Sequence, residues 1–181
     1  MPTKLSVTPP ADFVEFRKDA VLQGIHQRFE EQVRLYPRNI AIKTGQMAAT
    51  YAETNSFANS IAVEILSVIG TDLSQAAILQ PNTPEVIFSI LGAMKAHKAY
   101  VPLDPNFPTE RLQIMLEDAT PAILLTDDQH MGLAEELVGT KQIPILNTSQ
   151  IQFYTDAPNP QVPCDPLDRA YILYTLSLIH I

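Results

Sequence analysis

Through most of this 181-residue chain, stretches of helical apolar periodicity alternate with short runs rich in Ile, Val and Leu, and that alternation restricts the fold more than any other feature. Ile25, Phe29 and Val33 recur at four-residue spacing and predict a first helix that stops at Pro37. Ile40 to Lys43 and Met47 to Thr50 read as two short strands joined at Gly45 and Gln46, with Gly45 expected to supply the positive φ of a tight hairpin. Thr50 and Glu53 then have the spacing of a capping box. Phe57, Ala58, Ile61, Ala62, Ile65, Leu66 and Ile69 keep one apolar face, and Gly70 sits where a helix C-terminal cap belongs.

Ala76 to Leu79 reads as a buried strand. Thr83, Pro84 and Glu85 follow in the order of N-cap, first turn and dipole-favoured carboxylate, with Val86, Ile87, Ile90, Leu91 and Met94 as the expected buried stripe. A short strand at Ala99 to Val101 leads into a loop punctuated by Pro102, Pro105 and Pro108, then a helix carrying Leu112, Met115, Leu116 and Ala119. Ala122 to Thr126 is a strand, Gln129 to Val138 a helix ending near Gly139, and Ile143 to Leu146 another strand. Residues 147 to 166, with Pro158, Pro160, Pro163 and Pro166, predict a surface loop, and Tyr171 to Thr175 a final apolar strand. The sum is an α/β fold: a layered, largely parallel sheet flanked by helices and joined by right-handed crossovers. In such sheets ligands bind beyond the carboxyl ends of the strands, so a site is expected after Tyr171 to Thr175.

Composition removes whole function classes. The six glycines include no two close enough to write a GxGxxG fingerprint, a GxxxxGK phosphate loop or a GxSxG elbow, and no HExxH occurs. Twelve Lys plus Arg against 20 Asp plus Glu leave a net charge of -8, which gives no pull toward nucleic acid or anionic lipid. Cys164 is the single cysteine, so no internal disulfide exists, and His26, His97, His130 and His180 have no zinc-ligand spacing. Asp12, Glu15, Arg17 and Lys18 interrupt what a secretory signal would need as an apolar core, and no apolar run is long enough to cross a bilayer. A cytoplasmic location is the expectation.

Two segments are similar to the amino-acid adenylation domains of nonribosomal peptide synthetases, in the adenylate-forming (AMP-binding) ligase superfamily. ATYAETNSFANSIA, Ala49 to Ala62, resembles the family's Thr-Tyr-x-Glu-Leu motif opening a long helix, with Thr54 in place of the leucine. MKAHKAYVPLDPNFPTERL, Met94 to Leu112, resembles Lys-Ala-Gly-x-Ala-Tyr-Val-Pro-Leu-Asp-Pro and its trailing Pro-x-x-Arg-Leu, with His97 in place of the glycine, so histidine must tolerate any turn built on that glycine. RAYILYT, Arg169 to Thr175, looks like the strand entering the family's phosphate loop, but Leu176, Ser177, Leu178, Ile179, His180 and Ile181 follow where Ser, Gly, Thr and Lys are usual. Only Thr175 of that ATP-binding loop is present.

The resemblance implies the incomplete N-terminal part of the adenylate-forming fold over residues 24 to 175, with residues 1 to 23 a leader or interdomain linker and residues 176 to 181 a non-native tail. It implies a parent enzyme that uses ATP and Mg2+ to convert an amino acid to aminoacyl-AMP. That enzyme would load the acyl group on a phosphopantetheinylated carrier domain beside a condensation domain, while the 181 residues alone are expected to be inactive. The alternatives are a relative activating a fatty or aryl acid, and a nonenzymatic α/β module binding a nucleotide or a protein.

Other chemistry-bearing residues have plainer readings. His97 beside Lys98 could be a general base, but is expected to be a loop histidine between helix and strand. Tyr100 reads as a sheet residue, Asp104 as a turn-fixing carboxylate, and Asp127 with Asp128 as a strand-to-helix turn rather than a magnesium site. Ser177 and His180 lack a third group to complete a nucleophilic set, Met94 and Met115 read as core, and Cys164 as unreactive.

Overall fold

The computed structural model describes residues 18 to 45 and 47 to 175. Residues 1 to 17, Gln46 and the tail containing Ser177 and His180 lie outside the described residues. After a 3-10 turn at Lys18–Val21, helix α1 (Ile25–Leu35) leads to an antiparallel pair, β1 (Ile40–Lys43) and β2 (Ala48–Thr50). Helix α2 (Tyr51–Ile69) follows directly. Thr50 accepts from the Glu53 amide and the Glu53 carboxylate accepts from the Thr50 amide, while Gly70 closes the other end at φ 71.

The main sheet has four parallel strands in the order β4-β3-β5-β6, with β3 at Ser74–Leu79, β4 at Lys98–Leu103, β5 at Ile123–Thr126 and β6 at Ile145–Asn147. Side chains alternate across a strand, so each strand serves both faces. Ala76, Ile78, Ile123 and Leu125 pack with α2 and α3 (Pro84–Lys95). Ala77, Leu79, Val101, Leu103 and Leu124 pack with α4 (Thr109–Ala119) and α5 (Met131–Val138). This is the expected layered sheet. Fully burying one such aliphatic side chain is worth roughly 1.5–3 kcal/mol, so two filled faces supply the main stabilising term.

Helices α2 and α3 cross closely because Gly92 has no side chain: a Cβ there would lie 2.7 Å from Ile61 Cγ2 and 3.1 Å from the Ala58 carbonyl oxygen. The expected stripe is buried at Val86, Leu91 and Met94 and partly at Ile90, and it departs from expectation at Ile87. Ile87 is 38% exposed, whereas Phe88, Ser89, Gly92, Ala93 and Lys95 are buried. Thr83 has N-cap backbone geometry without a side-chain hydrogen bond to the helix.

Two expectations, at Gly45 and at Tyr171 to Thr175, are corrected, and that for the loop after β6 is refined. Gly45 does not adopt a positive φ; Thr44 closes the hairpin, its amide donating to the Met47 carbonyl at 2.8 Å and its hydroxyl accepting from the Met47 amide at 3.1 Å. Residues 147 to 166, expected as a surface loop, begin with the end of β6 and the turn Thr148–Gln150, and from residue 151 the chain runs on to residue 170 as a largely exposed strap along α2. The Tyr154 amide donates to Ser60 Oγ, Ser56 Oγ to the Thr155 carbonyl, and Asn59 Nδ2 to the Ala157 carbonyl, while Phe153 sets its ring edge-on to Phe57 at 4.7 Å.

Finally, Tyr171 to Thr175 does not form a strand. It makes one parallel bridge, Tyr171 to Tyr100, with the Tyr100 amide donating to Ala170 O and the Ile172 amide to Tyr100 O. Hydrogen-bonding groups of a strand alternate sides, so the next residue of β4 facing this segment is Pro102, which has no N–H to offer. The ladder stops there for lack of a donor.

Candidate functional site

Strand order and connections place a topological switch in the sheet. From β3 the chain crosses through α3 to β4 on one side, whereas β5, the other neighbour of β3, continues through α5 to β6. The crevice beyond the carboxyl ends of β3 and β5 is where open α/β sheets take ligands. A cavity of about 430 Å3 opens there, walled by Ile61, Phe88 and Phe153 and rimmed by Glu85, Asp127 and Asp128.

Its floor is a relay of side chains from three separate connections. Gln80 Nε2 donates to Thr148 Oγ1 at 2.7 Å, Thr148 Oγ1 donates to the Thr126 carbonyl at 3.0 Å, and Thr126 Oγ1 donates to the Leu79 carbonyl at 3.1 Å. These bonds tie the ends of β3, β5 and the 3-10 turn Thr148–Gln150 together. Gln80 and Thr148 escape a reading of the sequence because they lie 68 residues apart. The only local hint is that Gln80 is a polar residue ending an apolar strand and followed by Pro81.

Asp127 fixes the strand-to-helix turn, as expected, whereas Asp128 reaches across to the turn after β6. Asp127 Oδ1 accepts from the His130 amide at 3.0 Å and lies 2.7 Å from His130 Nδ1, fixing the turn into α5. Asp128 Oδ1 accepts from Asn147 Nδ2 and Gln150 Nε2. The charge of this donor set opposes a triphosphate. Three carboxylates and no Lys or Arg line the cavity, and among the described residues no group of three or more His, Cys, Asp or Glu could hold a metal ion.

The other candidates fall at the opposite, β4 side of the sheet. Lys95 is 1% exposed at the end of α3, pairs with Glu30 of α1 and also donates to Asn159 Oδ1 at 3.2 Å. Asn55 and Asn59 donate to the same Asn159 oxygen at 2.8 and 2.9 Å, so α2, α3 and the strap meet on one amide. Burial pulls the Lys95 ammonium below the ordinary lysine value and Glu30 opposes that fall. Its sequence signal was available: Lys95 lies four residues after Leu91 on the buried side of α3.

His97 adopts φ 59, the left-handed conformation that a glycine would take freely, so histidine does tolerate that turn. Its ring lies between the Thr71 carbonyl oxygen and Asp168 Oδ2, which is a structural role, as expected of a loop histidine. Lys98 is buried and donates to the Asp72 carbonyl at 2.5 Å; burial lowers its pKa and Asp72 raises it. Tyr100 stacks obliquely with Tyr171 at 5.6 Å. Asp104 fixes its turn by accepting from the Asn106 amide and Nδ2, both at 2.9 Å, and the Arg111 guanidinium sits 4.1 Å over the Phe107 ring. Met94 and Met115 are core residues. The Cys164 thiol is pushed up first by burial and then by Asp168 and Asp165, away from reactivity.

Beyond its one bridge, the segment after Tyr171 is anchored by Tyr174, whose hydroxyl donates to Asp118 Oδ2 at 2.6 Å; burial, then Asp118, pushes its pKa up to about 12. Thr175 is exposed and does not line the cavity at the switch.

Residues 29–175 match the family described as AMP-binding enzyme, and the chain belongs to that family. It is 36% identical over 154 residues to surfactin synthase subunit 2 of Bacillus subtilis (strain 168), an alignment covering 84% of this chain and 4% of that protein. Against gramicidin S synthase 1 of Brevibacillus brevis it is 36% identical over 152 residues, covering 83% of this chain and 14% of the relative. A solved four-domain nonribosomal peptide synthetase bound to AMP and glycine superposes with a TM-score of 0.63 at 31% identity, over 76% of this chain and 10% of that one. The chain is thus a part of the AMP-binding family similar to nonribosomal peptide synthetases, and it spans a small part of the length of these relatives. No helix among the described residues is long and apolar enough to cross a membrane.

Proposed function

We propose that residues 24 to 175 are the N-terminal part of an amino-acid-activating adenylation domain, flanked by a linker over residues 1 to 23 and a foreign tail over residues 176 to 181. In the parent enzyme a carboxylate oxygen of the amino acid attacks the α-phosphorus of ATP, the bond to the β-phosphate breaks, and pyrophosphate leaves. A carrier phosphopantetheine thiol then attacks the acyl carbon, losing its proton as AMP departs. Magnesium ATP, an amino acid, a carrier domain and a condensation domain are the partners of that reaction, and the cytoplasm is its place.

One observation carries this reading: the motif Met94 to Leu112 is built as a single unit. Its lysine Lys95 is clamped in the core, its strand β4 pairs along the full length of β3, and Asp104 turns the chain into α4 with Arg111 over Phe107. Thr175 is the first residue of the phosphate loop in this reading. Charge that develops on the α-phosphate needs fixed donors, and loss of one can cost on the order of a hundred- to a thousand-fold in rate.

The 181-residue chain alone is expected to give no ATP–pyrophosphate exchange with any of the common amino acids, whereas the product of the uninterrupted locus, with a Gly- and Ser-rich turn after Thr175, gives exchange with one of them. Exchange by the 181 residues, or a locus without that turn, overturns the reading.

A further inference from the structure

We infer that His97 is a proton-operated latch: its doubly protonated imidazolium clasps the Thr71 carbonyl and the Asp168 carboxylate together, and loss of the ring proton loosens the strap from the edge of β4. The geometry is specific. Nδ1 lies 3.2 Å from Thr71 O and Nε2 lies 3.0 Å from Asp168 Oδ2. A carbonyl oxygen only accepts, and an ionised carboxylate only accepts. A neutral imidazole donates from one nitrogen and presents a lone pair at the other, so either tautomer sets a lone pair against an oxygen. Only the cation satisfies both contacts.

Asp168 is held in its ionised form. The hydrogen bond from His97, followed by one from the Asp165 amide at 2.8 Å, keeps its carboxyl below the ordinary aspartate value. The other charged and titratable groups around the ring are His26 on α1, Lys98 on β4, Asp72 before β3, and Cys164, Asp165 and Arg169 on the strap. Burial holds the His26 imidazole below the ordinary histidine value, which limits positive charge beside His97, and Lys98 spends its ammonium on the Asp72 carbonyl.

The clasp sits where the strap reaches the sheet, just ahead of the bridge at Tyr171 and of Ile172 and Tyr174, which pack on the core. Asp168 is two residues before Ala170, whose carbonyl accepts from Tyr100, and the bridge at Tyr171 is the last rung before Pro102. Loss of the ring proton leaves one ring nitrogen with no hydrogen to donate, so one of the two contacts is lost with it.

The test uses the whole 181-residue chain. Ring 15N shifts report the protonation of His97, and amide exchange of Tyr100 and Ile172, corrected for intrinsic rate and referred to Ile78 in the centre of β3, reports docking. At about pH 5.5 both ring nitrogens should carry protons, and the relative protection of the two amides should fall on the order of tenfold by about pH 8.5. H97G, which keeps the left-handed turn without a ring, should give low protection that is flat with pH. Four results each overturn the latch: a single neutral tautomer at the lower pH, protection independent of pH in the native chain, the same pH dependence in H97G, or no protection at Ile78.

Discussion

On the side of the sheet covered by α4 and α5, Leu79, Leu103, Leu112, Leu116, Leu124 and Leu137 are each at most 1% exposed. On the side covered by α2 and α3, Thr54, Asn59, Ser89 and Lys95 are equally buried, beside Ile61, Ile65 and Ile78. The first face is closed by apolar contact, including Ile172 and Tyr174 from the segment after the strap, with the polar tie from Tyr174 to Asp118 left at its exposed margin. The second receives the strap, which returns from about a hundred residues further along the chain, and holds it by donors that converge on Asn159. Apolar contact is non-directional and would let that strap slide, whereas a shared amide oxygen fixes its position. The difference teaches that buried polarity here marks where distant chain must be placed.

The comparison can be broken by substitutions on each face, read by urea or thermal unfolding. L124A on the aliphatic face should cost about 3 kcal/mol, the transfer term plus a cavity, and the loss should not vary with pH. E30Q on the polar face should cost about 2 kcal/mol, less than a fully buried pair because Glu30 retains some exposure. It leaves the Lys95 ammonium buried without its carboxylate. Lys95 already has a folded-state pKa below the ordinary lysine value, so between the two values the unfolded chain binds more protons than the folded one. Stability in E30Q should therefore rise as pH climbs toward the ordinary lysine value, more steeply than in the native chain. A pH-independent E30Q would remove the distinction between the faces. G92A, which forces Ile61 and the Ala58 carbonyl away from the crossing, should cost about 1 kcal/mol after its gain in helix propensity. A neutral G92A would show that α2 and α3 part without penalty.

The helices and the succession of elements along the chain were legible because their signals are local: the box at Thr50 and Glu53, the stop at Gly70, and the apolar runs of β3 and β5. Ile87 was misplaced because periodicity locates an apolar stripe but not its edge, and the small residues Ser89, Gly92 and Ala93 that complete the buried face carry no apolar signal strong enough to show where it lies. The strand expected at Tyr171 to Thr175 failed because its run is apolar enough, yet pairing also depends on what the partner offers, and Pro102 lies 69 positions before Tyr171. Asp104 was legible as a turn residue from its prolines. Gln80, Thr126 and Thr148 were not legible as one cluster, because only the sheet brings the ends of β3, β5 and β6 together.

Pro102 has a consequence beyond that single missing rung. An open sheet margin ordinarily invites a second molecule to add its own strand, and repetition of that event is how chains grow into fibrils. Midway along the outer margin of β4, this chain withholds one donor and presents a rigid ring instead. A foreign strand zipping alongside Tyr100 would meet the same stop, which makes that margin a poor template for copies of itself.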